Sequence, residues 1–451
     1  MTGHDDALGQ ASDSSEREAR PIEPRSDYAR FSPVVNPTVP VARARAAFIF
    51  IFFTVLLDML ALGVIVPVLP ALVVAFRGGD TAMGASIYGL FATVWAVMQF
   101  ICSPILGSLS DRFGRRKVIL LSNLGLGLDY LLMAVAPSLW WLFVGRVVSG
   151  ITSSSFGTAC AYVADVTPPD DRAKRFGMLG VAFGVGFIVG PPVGALLGAI
   201  DLRAPFWGAA VLSLANAAYG FFILPESLAA DRRSAFRWRR ANPIGSIRLL
   251  RSRPQLMALG SAGFLSMLAH DSLPITFVLY TTYMYQWDQR TIGLVLAGVG
   301  VMSIVVQGGL VGRLVAVLGE RRALTIGFAS GAAGMIVYGL APTGRIFLLG
   351  IAMTALYGLA APSLQSLMTS RVGPSEQGQL QGANGSLNGI ANMIAPVLFT
   401  QLFALAIGPF RDRHLPGAPF LLAAVLLLFA LVVGWRATLS TPSHAAERAA
   451  V

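Results

Sequence analysis

Apolar residues in this chain gather into twelve long runs: Ala46 to Val74, Ala85 to Leu106, Val118 to Ala136, Leu139 to Val163, Gly177 to Ile200, Phe206 to Leu224, Met257 to Tyr285, Ile292 to Leu318, Ala323 to Leu340, Ile346 to Thr369, Leu380 to Ile407 and Ala418 to Trp435. A helix rises about 1.5 Å per residue, so roughly 20 residues cross a hydrocarbon core of about 30 Å, and each run is of that order. The pattern predicts an all-α membrane protein of 12 transmembrane helices. The first run is too long and too far from the start to be a cleaved signal peptide, so it is expected to remain as a helix.

The polar stretches between the runs alternate in charge. One set carries Arg112, Arg115, Arg116 and Lys117, then Arg172, Lys174 and Arg175, then Arg232 to Arg253, then Arg313, Arg321 and Arg322. The other holds scattered charges such as Arg77, Arg203, Arg290 and Arg345, with Arg411 and Arg413 in the last loop. An excess of arginine and lysine marks the cytoplasmic side, which predicts a multi-pass protein of a bacterial inner membrane with both termini inside. The expected organisation is a disordered cytoplasmic tail over 1–43, a six-helix bundle over 44–224, a cytoplasmic linker over 225–254, a second six-helix bundle over 255–437 and a short tail over 438–451.

Composition fits this picture. Of 451 residues, 55% are hydrophobic and 13% charged, with a mean hydropathy of +0.66, too little charge to cover a water-soluble globule of that length. The net charge of +11 sits in short loops rather than along an amphipathic face, which argues against a nucleic-acid partner. Cys102 and Cys160 lie inside apolar runs as expected free thiols; no metal, cofactor or enzymatic nucleophile has recognisable spacing. A monomer surrounded by lipid is expected.

The two halves repeat. Gly107, Leu109 and Gly114 recur as Gly312, Leu314 and Gly319, Ala136-Pro137 as Ala341-Pro342, Gly145 as Gly350, Gly177 and Gly180 as Gly382 and Gly385, and Pro191 as Pro396, always 205 residues apart. A constant offset through four successive runs indicates duplication. Duplicated bundles place a ligand site near the midplane between them and let one rock against the other, which points to transport of a small molecule.

Ionisable residues inside the runs are costly unless paired or facing an aqueous cavity. The clearest are Asp58, Asp129, Arg146, His270 and Asp271. Counted from the nearest loops, Asp58 and Asp129 lie about 18 Å from one surface and Arg146 about 12 Å from the other, coincident depths in a core of about 30 Å. Asp58 is the candidate proton carrier with Arg146 tuning it; the competing reading is a static ion pair between the first and fourth helices. Asp129 either lines the cavity or bonds a neighbouring helix. His270 and Asp271 are adjacent and point to different faces, so one faces the cavity centre at most. Gln99, Gln307 and Gln365 complete the candidate substrate cavity. In the loop Gly107 to Lys117, Asp111 is placed to meet a helix N-terminus or a basic neighbour, as a conformational latch or as part of an ordinary basic loop. Gly186, Gly190, Pro191 and Gly194 in the fifth run allow close helix approach.

Together these residues resemble the major facilitator superfamily along nearly all of the chain after the tail. Gly107 to Lys117 resembles its loop signature, and Gly186-Phe-Ile-Val-Gly190-Pro191-Pro192-Val-Gly194 the fifth-helix signature of proton-coupled exporters, with Ala195 in place of a final glycine. Leu57-Asp58, Pro67-Val-Leu-Pro70, Gln99, Asp129-Tyr130 and Gly145-Arg146 are similar to the drug:proton antiporters, especially the tetracycline exporters. The resemblance implies a major facilitator fold, proton coupling through Asp58 and Arg146, and conformational switching through Gly107, Asp111, Arg112, Gly114, Arg115 and Arg116. Where tetracycline exporters carry a histidine in the eighth helix and an aspartate in the ninth, Ser303 and Gly331 align here, so that chemistry is missing unless His270 and Asp271 substitute for it. The expected function is proton-driven efflux of an amphipathic drug; the alternatives are proton-coupled uptake of a sugar or organic acid, and a non-transporting membrane sensor.

Overall fold

The computed structural model describes residues 41–153, 155–229, 231, 233, 247–373 and 376–439. Most of the expected tails and linker lies outside the described residues.

The described chain is helical throughout. In order, the helices are α1 (Val41–Ile65), α2 (Leu69–Phe76), α3 (Thr81–Phe113), α4 (Arg115–Val135), α5 (Leu139–Thr152), α6 (Ser155–Val166), α7 (Pro169–Gly198), α8 (Ala204–Ile223), α9 (Ile247–Ser252), α10 (Pro254–Tyr285), α11 (Gln289–Val305), α12 (Val311–Leu318), α13 (Glu320–Leu340), α14 (Gly344–Ala355), α15 (Ala360–Thr369), α16 (Gln377–Ile407) and α17 (Ala418–Leu439). Ten helical stretches are long and apolar enough to cross a bilayer. The two remaining runs are helical but interrupted. The fourth is split between α5 and α6 beside Ser153, and the eighth contains a π-helical turn, Val306–Leu310, between α11 and α12. A wider turn of this kind is a frequent device at functional sites, and here it leaves Gln307 exposed.

Helix ends follow local chemistry. Asp80 and Asp288 cap α3 and α11, accepting hydrogen bonds from the Met83 and Thr291 amides at 3.0 and 2.9 Å. Gly114 (φ 104°) and Gly319 (φ 74°) each end one helix and begin the next with no residue between, a left-handed conformation that favours glycine. They are counterparts in the duplication, so both copies need the same sharp turn.

Helices α1 to α8 pack with one another, as do α10 to α17; α3 against α16 and α7 against α11 join the two bundles. Inside the second bundle, Tyr338 lies with its ring centroid 4.5 Å from that of Phe347 and 5.8 Å from that of Phe420. These large side chains exclude space on burial and give that bundle a rigid centre. In the first bundle the fifth-run glycines serve packing: a side chain at Gly186 would come 2.6 Å from the Leu56 carbonyl, and one at Gly190 2.7 Å from Gly63. Helix α7 therefore lies backbone to backbone on α1.

Among the described residues, the close approaches between the joining helices lie away from the basic loops. Away from the basic loops, a Cβ on Gly293 would meet Ala195 at 2.9 Å, and one on Gly389 would meet the Phe100 ring at 2.5 Å. Toward the basic loops, a Cβ on Gly107, Gly177, Gly180, Gly184, Gly312, Gly378 or Gly385 would find nothing within 4 Å. Among the described residues the bundles thus form a cleft that is closed at the opposite end and open at the basic end.

Candidate transport site

At the closed apex of the cleft lies a cavity of about 210 Å³ shared by both bundles. Helix α1 contributes Leu62 and Ile65, with Val66 just past its end; α3 contributes Tyr88, Ala92, Trp95 and Ala96, and α5 contributes Arg146. The second bundle contributes Asp271, Pro274 and Ile275 from α10, with Asn392 and Pro396 from α16. A cation from one bundle and an acid from the other therefore border the same space, whose remaining wall is largely apolar.

Arg146 is held from behind. Its Nη2 lies 3.4 Å from Asp129 Oδ2 and 2.7 Å from Met133 Sδ, both on α4. Asp129 is 1% exposed and Arg146 4%, so the pair is screened little by solvent. Gly145 makes the approach possible, because a Cβ there would come 2.7 Å from Asp129 Oδ1. Of the two roles open to Asp129, bonding a neighbouring helix is the one seen, and its carboxylate stands behind the cavity wall. Asp58 is also buried, at 6%, and close enough to the Tyr130 hydroxyl for electrostatic interaction. With Leu62 and Ile65 it falls at helical spacing on one stripe of α1, one turn nearer the basic end than the cavity.

The neighbours on α10 divide as their spacing requires. Asp271 borders the cavity. His270 stacks on Tyr357 with centroids 5.6 Å apart. That tyrosine also fills the space beside Gly331, where an added Cβ would come 2.8 Å from its ring. His270 thus reaches the neighbourhood of Gly331 through one aromatic ring. Gln99 donates to Ser153 Oγ at 3.4 Å, and Gln365 Oε1 accepts from Asn384 at 3.1 Å in a second recess. Neither Gln99, Gln307 nor Gln365 is on the wall of the shared cavity. Sequence reading missed Tyr88, Trp95 and Asn392. Asn392 had a signal, because Asn384, Asn388 and Asn392 recur every four residues on α16.

The loop between α3 and α4 is a hub of charge. The Arg115 guanidinium pairs with Asp111, donates to Ser110 Oγ at 2.6 Å and lies 3.3 Å from Asp165, while its backbone N–H donates to Glu226 Oε1 at 2.8 Å. Ser227 Oγ also donates to Asp165, at 3.0 Å. Arg116 donates to the Phe221 carbonyl at 2.5 Å, and Arg112 lies over the Phe113 ring at 5.0 Å. Asp111 is spent within its own loop here, and the whole hub belongs to the first bundle.

Comparison with known proteins agrees with this architecture. A family model described as Major Facilitator Superfamily matches residues 51–396. The chain is 36% identical to the class C tetracycline resistance protein of Escherichia coli over 86% of this chain and 96% of that one. It is 33% identical to the class G tetracycline resistance protein of Vibrio anguillarum, over 86% and 97%. Among solved structures, a bacterial homolog of the human lysosomal transporter Spinster, in an inward-facing and unoccupied conformation, superposes with a TM-score of 0.73 at 14% identity, covering 88% of this chain and 98% of that one. The twinned bundles, the cleft between them and these likenesses identify a multi-pass membrane transporter rather than an enzyme, and the chain belongs to the Major Facilitator Superfamily.

Proposed function

We propose that this protein exports a small amphipathic drug, tetracycline-like or broader, across a bacterial inner membrane in exchange for protons, with the basic end and both termini in the cytoplasm. The observation that carries the reading is Arg146 and Asp271 facing one cavity from opposite bundles. Movement of one bundle against the other changes their surroundings together, which a proton-coupled switch requires.

The cleft described here is open to the basic end. A drug arriving from the cytoplasm rests its apolar body on Leu62, Ile65, Trp95 and Ile275 and presents polar groups to Asp271 and Arg146. An ionised Asp271 holds the drug; a protonated one does not. Once the bundles rock and the site opens outward, protonation of Asp271 releases the drug, and on return the proton leaves to the cytoplasm. Because drug and proton compete for one group, the gradient of one drives the other. Asp58, on the cavity stripe of α1, carries the proton between that site and the cleft, while Asp129 holds Arg146 in position. His270 and Asp271 then take over the work of the histidine and aspartate replaced by Ser303 and Gly331. The resemblance to tetracycline exporters and the tetracycline resistance relatives support the choice of drug.

Inverted membrane vesicles test this directly. With an acidic lumen, added tetracycline is expected to accumulate inside and alkalinise the lumen. Failure of the lumen pH to respond, with no accumulation of tetracycline or of any drug in a susceptibility panel, would sink the proposal.

A further inference from the structure

We infer that a second recess, in the half of the second bundle nearest the basic end, is a separate binding station for the uncharged, hydrogen-bonding edge of the substrate. The recess measures about 170 Å³ and lies between α10, α15 and α16. Its polar wall is Ser266, Tyr357, Gln365, Asn384 and Asn388, and among the described residues no lysine, arginine, aspartate or glutamate lines it. Gly260 and Gly263 line it on the α10 side.

The wall is preorganised. Tyr357 donates to the Ser266 carbonyl at 3.0 Å and lies 2.6 Å from Ser266 Oγ, while Asn384 Nδ2 donates to Gln365 Oε1 at 3.1 Å. That bond leaves the Gln365 amide N–H groups and the Asn384 carbonyl oxygen with capacity for a ligand. Asn388, one turn further along α16, is exposed, and an exposed amide on a membrane helix is expensive unless it faces a cavity. Amides both donate and accept, so such a wall suits ketone, enol, phenol or carboxamide groups and discriminates little by charge.

The recess connects to the site already described. Asn384 and Asn388 line it, Asn392 lines the shared cavity, and the three follow one face of α16 over about 12 Å. On α10, Gly263 and Met267 line the recess, and Asp271, four residues on, lines the cavity. The two spaces thus sit one above the other along the α10–α16 seam, the recess nearer the open mouth. A substrate entering from that side meets neutral amides before it meets charge.

This inference rests on the export reading. The test uses the purified full chain in lipid nanodiscs with tetracycline as the probe, counted by equilibrium dialysis. Two molecules per chain are expected for the wild type, and one for Asn388→Leu. Asp271→Asn is expected to keep the molecule that Asn388→Leu loses. In vesicles, Asn388→Leu should raise the half-saturating tetracycline concentration about tenfold, the scale of a lost hydrogen bond with its desolvation, and Asn388→Gln should recover most of it. A single molecule per wild-type chain, abolished by Asp271→Asn and unaffected by Asn388→Leu, overturns the second station and leaves the export reading intact. No tetracycline bound by the wild type at any concentration overturns both.

Discussion

Ser86 Oγ donates a 3.1 Å hydrogen bond to Gln401 Oε1, and the Gln401 amide returns a 3.4 Å bond to the Ser86 carbonyl, tying α3 of one bundle to α16 of the other. One turn along, Gly89 faces Thr400 so closely that an added Cβ would overlap the hydroxyl and reach within 3.1 Å of the Pro396 carbonyl. These contacts close the end of the cleft away from the basic loops. Replacing Gly89 with leucine forces the helices apart, and overpacking costs about 1–3 kcal/mol, enough to shift a two-state equilibrium about 5- to 150-fold. A cysteine placed at Gln401 in a background lacking Cys102 and Cys160 should react slowly with an external maleimide, and at least about tenfold faster once Gly89→Leu is added. Equal rates would mean that this seam is not the gate.

Asp271→Asn keeps the size of the side chain and removes its ability to ionise. Drug-induced alkalinisation of inverted vesicles and uphill drug accumulation should both disappear in this variant, because an amide at 271, like a protonated acid, does not hold the drug. Retained uphill accumulation would assign coupling elsewhere.

Asp58→Asn should likewise abolish proton-coupled efflux with normal membrane insertion, judged by protein level and by flux in the same vesicles. Uphill efflux surviving in this variant would remove Asp58 as carrier.

The Arg146–Asp129 pair separates stability from transport. Arg146→Leu alone leaves the Asp129 carboxylate buried without its cation, and breaking a buried pair costs about 3–5 kcal/mol. Thermal unfolding in detergent should show a large drop for the single variant. Arg146→Leu with Asp129→Leu should regain much of the stability, since the uncompensated charge is gone, without regaining export. A double variant as unstable as the single would show that the pair has a role beyond charge balance.

Gly114 combines a φ of 104° with the Glu226 carboxylate lying where a Cβ would stand. Gly114→Ala should cost about 1–3 kcal/mol of stability from strain at that angle and should loosen the Arg115–Glu226 contact. Gly319→Ala, with the same angular strain but open space around it, should cost less. Parallel unfolding curves for the two variants check the difference.

Run length was enough to read the helices from sequence, because a membrane-crossing helix needs a fixed count of apolar residues and little else. The breaks were harder. Thr152-Ser-Ser-Ser155 and Gln307-Gly-Gly309 are polar or flexible clusters inside otherwise apolar runs, and hydropathy averages them away. That Asp129 and Arg146 share a level along the bundle was also legible, since it follows from counting; direction around a helix was not. Asp58, Asp129 and Arg146 have similar depths, yet the Arg146 guanidinium turns to Asp129, a choice that depends on how α4 and α5 are rotated. The glycine before Arg146 was the clue, because only an absent side chain lets α4 come so near. For His270 and Asp271, adjacency announced a division of labour without saying which residue took which side.

The duplication repeats the frame and leaves out the charge. Counting 205 residues on from Asp58, Asp129 and Arg146 gives Gly263, Gly334 and Ile351, and counting back from Asp271 gives Val66, whereas Gly114 and Gly319 keep the same turn. Each bundle therefore brings its own electrical character to a hinge that both inherit. Lineages descending from such a duplicated ancestor can acquire new cargo by altering a handful of side chains on one lobe, with the machinery of motion passed on unaltered in both.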